Sequence, residues 1–266
     1  MGARGKMDGI FTAVSGGLSP EIFALVLAIA GFAGFVKGAV GFAMPMIMIS
    51  ALSSFLPPHV ALAALILPTV VTNISQAFRQ GVAAFWATVV AWRRYLVITV
   101  AALVISAQFV DAIPQAWFLF ALGLPITLFA IIRLAGVPLA VKSANRARLE
   151  VSTAIVGGLY GGVSGVWGPP LLVYLLSTNV AKADSVRIQG VVFLIGAAVL
   201  VVAHLASGVL NAATLPFSAA LVLPAMLGMW LGQVVQDRLD QARFTTWTQV
   251  LLILTGLNLM RRAVGW

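Results

Sequence analysis

Lys37 stands between Val36 and Gly38 in a long apolar run, with no acidic residue close to it in the sequence. An ammonium held deep in apolar surroundings is costly unless it pairs or reaches water, and in a bilayer the penalty is about 3 kcal/mol. A small anion would supply the missing partner. The alternative is a lysine whose stem lies along apolar surface while its head reaches the interface. The flanking glycine favours the first, because it implies an opening in the backbone, not an ordinary helix end. A second polar feature follows: Thr69, Thr72, Asn73 and Gln76 fall at i, i+3, i+4 and i+7, one stripe on an otherwise apolar helix. Such a stripe faces other helices, either lining a path or joining helices by interhelical hydrogen bonds.

The surroundings of Lys37 occur twice. Gly31-Phe-Ala-Gly34-Phe-Val-Lys37-Gly38-Ala-Val-Gly41 returns as Gly158-Leu-Tyr-Gly161-Gly-Val-Ser164-Gly165-Val-Trp-Gly168, and the two copies are 127 residues apart. Near this spacing Ser50 matches Ser177, Gly81 matches Gly208, and Asp111, Gln115 and Phe118 match Asp237, Gln241 and Phe244. A duplicated unit explains this better than chance enrichment in glycine. After each glycine cluster comes a proline (Pro45, or Pro169 and Pro170). A new helix therefore starts near Gly41 to Pro45 and near Gly168 to Leu171, and its unpaired N–H groups favour an anion. The null alternative is that the glycines only let helices pack closely. Lys37 of the first copy is replaced by Ser164 in the second, so such a site is symmetric in backbone and asymmetric in charge. The expected substrate-binding residues are Lys37, Gly38, Gly41, Asn73, Gln76, Ser164, Gly165, Gly168 and Gln189, the last on the helix that matches the polar stripe.

Composition sets the class. With 61% hydrophobic and 9% charged residues and a mean hydropathy of +1.07, the chain has too few polar groups to cover a soluble globule. The net charge of +9 would suit nucleic acid in a soluble protein, but here the basic residues sit at the ends of apolar runs, so no nucleic-acid partner is expected. No cysteine is present, which removes disulfides and thiolate chemistry. Seven acidic residues and two histidines show no metal-ligand spacing, and no phosphate-cradling loop occurs. No enzyme, metal or cofactor is expected. The apolar stretch Ile10 to Leu18 is broken by Thr12, Ser15, Gly16 and Gly17, and no cleaved leader is expected.

The elements that must position these residues are apolar segments with readable ends. An N-terminal segment (1–19) precedes a first membrane repeat (20–135), a hydrophilic linker (136–150) and a second repeat (151–266). Ser19-Pro20-Glu21 reads as a helix start. The apolar run from there to about Phe55 is far too long for one straight span, so it breaks or folds back at the glycines. A helix follows from Pro57-Pro58 to about Phe78, then an aromatic and basic interfacial stretch from Gly81 to Arg94, and spans near 95–110 and 114–134. The second half repeats the plan with a broken segment at 151–178 and spans near 187–205, 215–235 and 244–261. The expected fold is an all-α integral membrane protein of two four-segment repeats, each opening with a glycine-broken helix. Duplication around broken helices points to a secondary transporter.

The pattern Gly34-x-x-x-Gly38-x-x-Gly41-x-x-x-Pro45, repeated as Gly161-x-x-x-Gly165-x-x-Gly168-Pro169-Pro170, resembles the TauE/SafE sulfite and sulfoacetate exporters, also called the toluene-sulfonate uptake permease family. The likeness covers nearly the whole chain. It implies a multi-pass carrier of the bacterial inner membrane exporting small organosulfur or related anions. Alternatives in other classes are an anion channel and a non-transporting scaffold or sensor. The sequence leaves open coupling to H⁺ or Na⁺ and assembly into a homo-oligomer.

Charge gives two topologies. If all eight segments cross, eleven Lys/Arg are cytoplasmic and Lys182, Arg187, Arg238 and Arg243 are outside. If each broken segment is a re-entrant hairpin, the repeats are inverted and the four outside are Arg4, Lys6, Arg261 and Arg262, while every internal outside loop lacks Lys and Arg. The second arrangement is favoured, since it also accounts for the length of the 20–55 run. A cysteine at Ser207 should then react with an impermeant maleimide in intact spheroplasts, while one at Ser143 stays protected. Protection at both positions would reject inversion.

Overall fold

The computed structural model describes residues 12–107, 115–137, 145–164, 167–206 and 208–265. Regular structure among them is helical throughout. In chain order the helices are α1 (Pro20–Val40), α2 (Met44–Leu52), α3 (Pro58–Phe78), α4 (Val82–Ala91), α5 (Arg93–Ala107), α6 (Gln115–Leu134), α7 (Arg146–Ser164), α8 (Gly168–Ser177), α9 (Lys182–Ala206), α10 (Leu215–Ala220), α11 (Val222–Arg238) and α12 (Gln241–Ala263).

The local signals act as expected. Ser19 caps α1 by accepting from the Ile22 N–H at 3.4 Å, with Pro20 in the first turn. The run from 20 to 55 is two helices: α1 ends where Gly41 takes a left-handed conformation (φ 92°) and its N–H returns to the Lys37 carbonyl at 2.6 Å. Ala43, also at positive φ (77°), leads into α2, with Pro45 in its first turn. The aromatic stretch after Gly81 is a helix of its own, since α4 meets α5 at a bend of 73°. Trp92 at that bend is turned inward, its ring 5.9 Å from Tyr95 and 5.5 Å from Tyr174, in edge contacts. The second broken segment starts earlier than the expected 151, because Arg146-Ala-Arg-Leu-Glu150 is made of good helix formers and joins α7.

Among the described residues, α1, residues 59–78, α9 and the stretch 215–238 are long and apolar enough to cross a membrane; the bent pair α4–α5 would be a fifth if it is one span. Residues 119–134 and α8 are apolar but shorter. The shortfall from eight segments has a reason in composition. In α12, Arg243, Arg261 and Arg262 accompany four threonines, Gln249 and Asn258; in α7, two arginines and Glu150 fill the first turns.

The helices form two compact units that do not follow chain order. One comprises Met1–Arg79 and Phe193–Arg238, the other Gln80–Val192 and Leu239–Trp266. In the first, α1 packs on α11, and α3 on α2, α10 and α11. Its core joins Val26 and Ala30 of α1 to Met48 and Leu52 of α2, Phe217 of α10 and Leu221 just past it. In the second, α5 packs on α7 and α6 on α12. The first helix of each half thus pairs with a helix from the other half: α1 with α11, α7 with α5.

The α1–α11 crossing explains part of the glycine pattern. A Cβ at Gly34 would overlap the Ala225 carbonyl, and one at Gly38 the Met229 carbonyl. The packing alternative is therefore realised at Gly34 and Gly38, while Gly41 makes the break. Gly31, one turn earlier on α1, would place a Cβ at an ordinary 3.6 Å from Pro224. Gly34→Ala is expected to force the helices apart at a cost of about 2 kcal/mol, read as a lowered Tm in detergent. Gly31→Ala should leave Tm unchanged or raised. Equal Tm for both variants would contradict this packing.

Candidate functional site

The site is built around the end of α1 in the first unit. Lys37 lies in the last turn of α1 and is 2% exposed. Its ammonium donates to Thr72 Oγ1 at 2.9 Å and to Asn73 Oδ1, both on α3. Thr72 donates its own hydrogen to the Pro68 carbonyl at 2.6 Å, which leaves an oxygen lone pair facing the lysine. Asn73 gives its amide N–H to the Phe193 carbonyl at 3.1 Å, which turns the amide oxygen toward Lys37. Thr72 and Asn73 stand five to six residues from the end of α3, about 8 Å at helical rise.

The proline in α3 is part of this arrangement. Pro68 has no N–H, so the Ala64 carbonyl loses its helical partner. Ser218 of α10 fills the gap: its Oγ receives the Leu67 N–H at 3.1 Å and lies 3.4 Å from the Ala64 carbonyl, to which it donates. The break after α1 is held in the same manner. Gln76 donates to the Gly41 carbonyl at 3.0 Å, and Gln236 of α11 to the Ala39 carbonyl at 3.4 Å. Gln236 in turn accepts from Arg79 at 2.7 Å, and Arg79 grips both carboxylate oxygens of Asp237 at 2.9 and 2.7 Å.

Two groups remain open. An ammonium has three hydrogens, and Lys37 has two hydrogen-bond acceptors among the described residues, neither of them charged. Thr69 Oγ1, on the same face of α3, is buried without a hydrogen-bond partner. The start of α2 lies alongside, with Met44 Sδ 3.8 Å from Thr72 Oγ1. Its first-turn N–H groups lack intrahelical acceptors. A cation without a counter-charge, a free hydroxyl and a helix start together suit one small anion.

Of the expected residues, Lys37, Gly38, Gly41, Asn73 and Gln76 come together in this unit. Gly38 serves the contact with α11, and Gln76 braces the backbone. Ser164 ends α7 and Gly168 opens α8 in the other unit; Gly165 lies outside the described residues. Gln189, on the part of α9 in that unit, is fully buried; its amide donates to Ser185 Oγ at 3.2 Å and its Oε1 has no hydrogen-bond partner. Ser218 and Gln236 escaped the sequence reading. Pro68 signalled that some donor must reach Ala64, but not which one.

No curated protein and no solved structure matches the chain. A family model does, over residues 26–259, and its description is sulfite exporter TauE/SafE. With broken helices, a buried uncompensated cation and a match across nearly its whole length, the chain belongs to the TauE/SafE family of membrane anion exporters.

Proposed function

We propose that this chain is a secondary carrier that exports small sulfur oxyanions such as sulfite or sulfoacetate across the bacterial inner membrane, and that Lys37 is its anion-binding cation. The observation that carries the reading is the buried ammonium held by neutral oxygens alone. A buried cation with only dipoles around it is under-compensated, and a sulfite or sulfonate oxygen would accept its third hydrogen in a charge-assisted bond. The unpartnered Thr69 hydroxyl and the first-turn N–H groups of α2 would then donate to the remaining oxygens. With no nucleotide motif in the sequence, the driving force is an ion gradient or the substrate's own gradient.

The reading includes inverted repeats with re-entrant broken segments. In the first unit, Val26 near the start of α1 belongs to one buried core with Leu52 and Leu56 at and beyond the end of α2, which supports a return of α2 toward the start of α1. In the second, Arg146 at the start of α7 donates to the Thr178 carbonyl just past α8 at 3.2 Å. These contacts support broken segments that return toward their own start. The reciprocal pairings α1–α11 and α5–α7 also fit duplication.

Sulfite and sulfoacetate binding to purified protein, measured calorimetrically, tests the site. Lys37→Met should weaken binding by about 1.5–3 kcal/mol, tenfold or more, and Thr69→Val by less. Arg93→Met should match the parent. A folded Lys37→Met variant with parental affinity for both anions would reject Lys37 as the binding cation.

A further inference from the structure

A cavity with a cationic lining lies within the other unit. It has a volume of about 350 Å³ and is bounded by Arg133 in the last turn of α6, by Leu176 at the end of α8, Asn179 and Val180 just past it, and by Gln241 and Thr245 at the start of α12. Arg133 is half-buried, and its guanidinium makes no hydrogen bond or ion pair with any described residue. No acidic side chain lines the cavity. The neighbouring carboxylate, Asp240, is engaged: it caps α12 through the Arg243 N–H at 2.7 Å and lies 3.7 Å from the Arg243 side chain. Gln241 is engaged too, accepting the Lys182 N–H at 2.7 Å. Arg133 is thus an unspent five-donor fork beside the Asn179 amide and the Thr245 hydroxyl, with leucine and valine forming the remaining wall.

The surroundings say which anion fits. The cavity sits at one end of a unit whose basic residues gather there: Arg94 donates to the Ala147 carbonyl at 3.0 Å, Arg146 to Thr178, and Lys182 to Leu239. Arg133 closes an apolar helix whose outer face (Leu124, Leu128, Ile131 and Ile132) is exposed and suited to lipid, with Trp117 near the opposite end. That places the guanidinium at headgroup depth. A cationic fork with an apolar wall matches a phosphate-type oxyanion attached to an acyl chain.

We propose that this cavity binds the phosphodiester of an anionic phospholipid, with Arg133 as its bidentate partner. The pocket is independent of the transport reading, and binding alone tests it. Delipidated protein in detergent is titrated with phosphatidylglycerol, phosphatidylcholine or inorganic phosphate, reading bound mass by native mass spectrometry together with Tm. Phosphatidylglycerol should bind and raise Tm, and phosphatidylcholine should do so much less. Arg133→Gln should weaken phosphatidylglycerol binding about tenfold with a parental Tm in the absence of lipid. Thr245→Leu, which fills the cavity and spares the arginine, should weaken it as well and guards against misfolding of the first variant. An Arg133-dependent response to inorganic phosphate equal to that of the lipid would overturn the lipid assignment in favour of a free oxyanion. Phosphatidylglycerol binding unchanged in both variants would overturn the site.

Discussion

The first unit is organised around a charge without a counter-charge. Lys37 is enclosed, and a hydroxyl and a carboxamide meet its ammonium where a carboxylate would ordinarily be required. Neutral dipoles stabilise a buried cation only if they are fixed in direction, so each has a second bond that fixes it: Thr72 to the Pro68 carbonyl, Asn73 to the Phe193 carbonyl. A carboxylate at this place would satisfy the lysine permanently. Dipoles would leave it able to accept an anion and release it, as the proposed carrier requires.

The same region must also satisfy its backbone. Irregular main chain at membrane depth is tolerated only where protein groups replace water. The break after α1 and the proline in α3 free several carbonyls, and side chains from α3, α10 and α11 reach them: Gln76 to Gly41, Gln236 to Ala39, Ser218 to Ala64. Close approach of α1 to α11 makes the Gln236 contact feasible, and the glycines along that crossing permit the approach. The glycine signature thus serves two ends, a tight helix pair and a helix break, at different positions of one motif.

Much of this was legible in the sequence because it rests on local rules. Ser19-Pro20, Gly41 and Pro45 mark helix ends by backbone chemistry that needs no partner, and the i, i+3, i+4, i+7 stripe fixed which face of α3 is buried. Lys37 stood out because an ammonium in apolar sequence is costly wherever the chain goes. Partners contributed from afar were not legible. Ser218 and Gln236 lie more than 150 residues from the backbone groups they satisfy, and nothing at their own positions distinguishes them from other polar residues. The exchange of helices between halves, α1 with α11 and α7 with α5, is a tertiary choice that leaves no trace in either local sequence.

The central claim is that an oxyanion completes the coordination of Lys37. Its most direct test is a crystal structure of the protein soaked in selenite, a sulfite analogue whose selenium scatters anomalously. The account predicts an anomalous peak within hydrogen-bonding contact of the Lys37 ammonium, beside Thr69 and the start of α2. A selenite peak elsewhere in the membrane region, with the Lys37 ammonium still bonded to Thr72 and Asn73 alone, would contradict it.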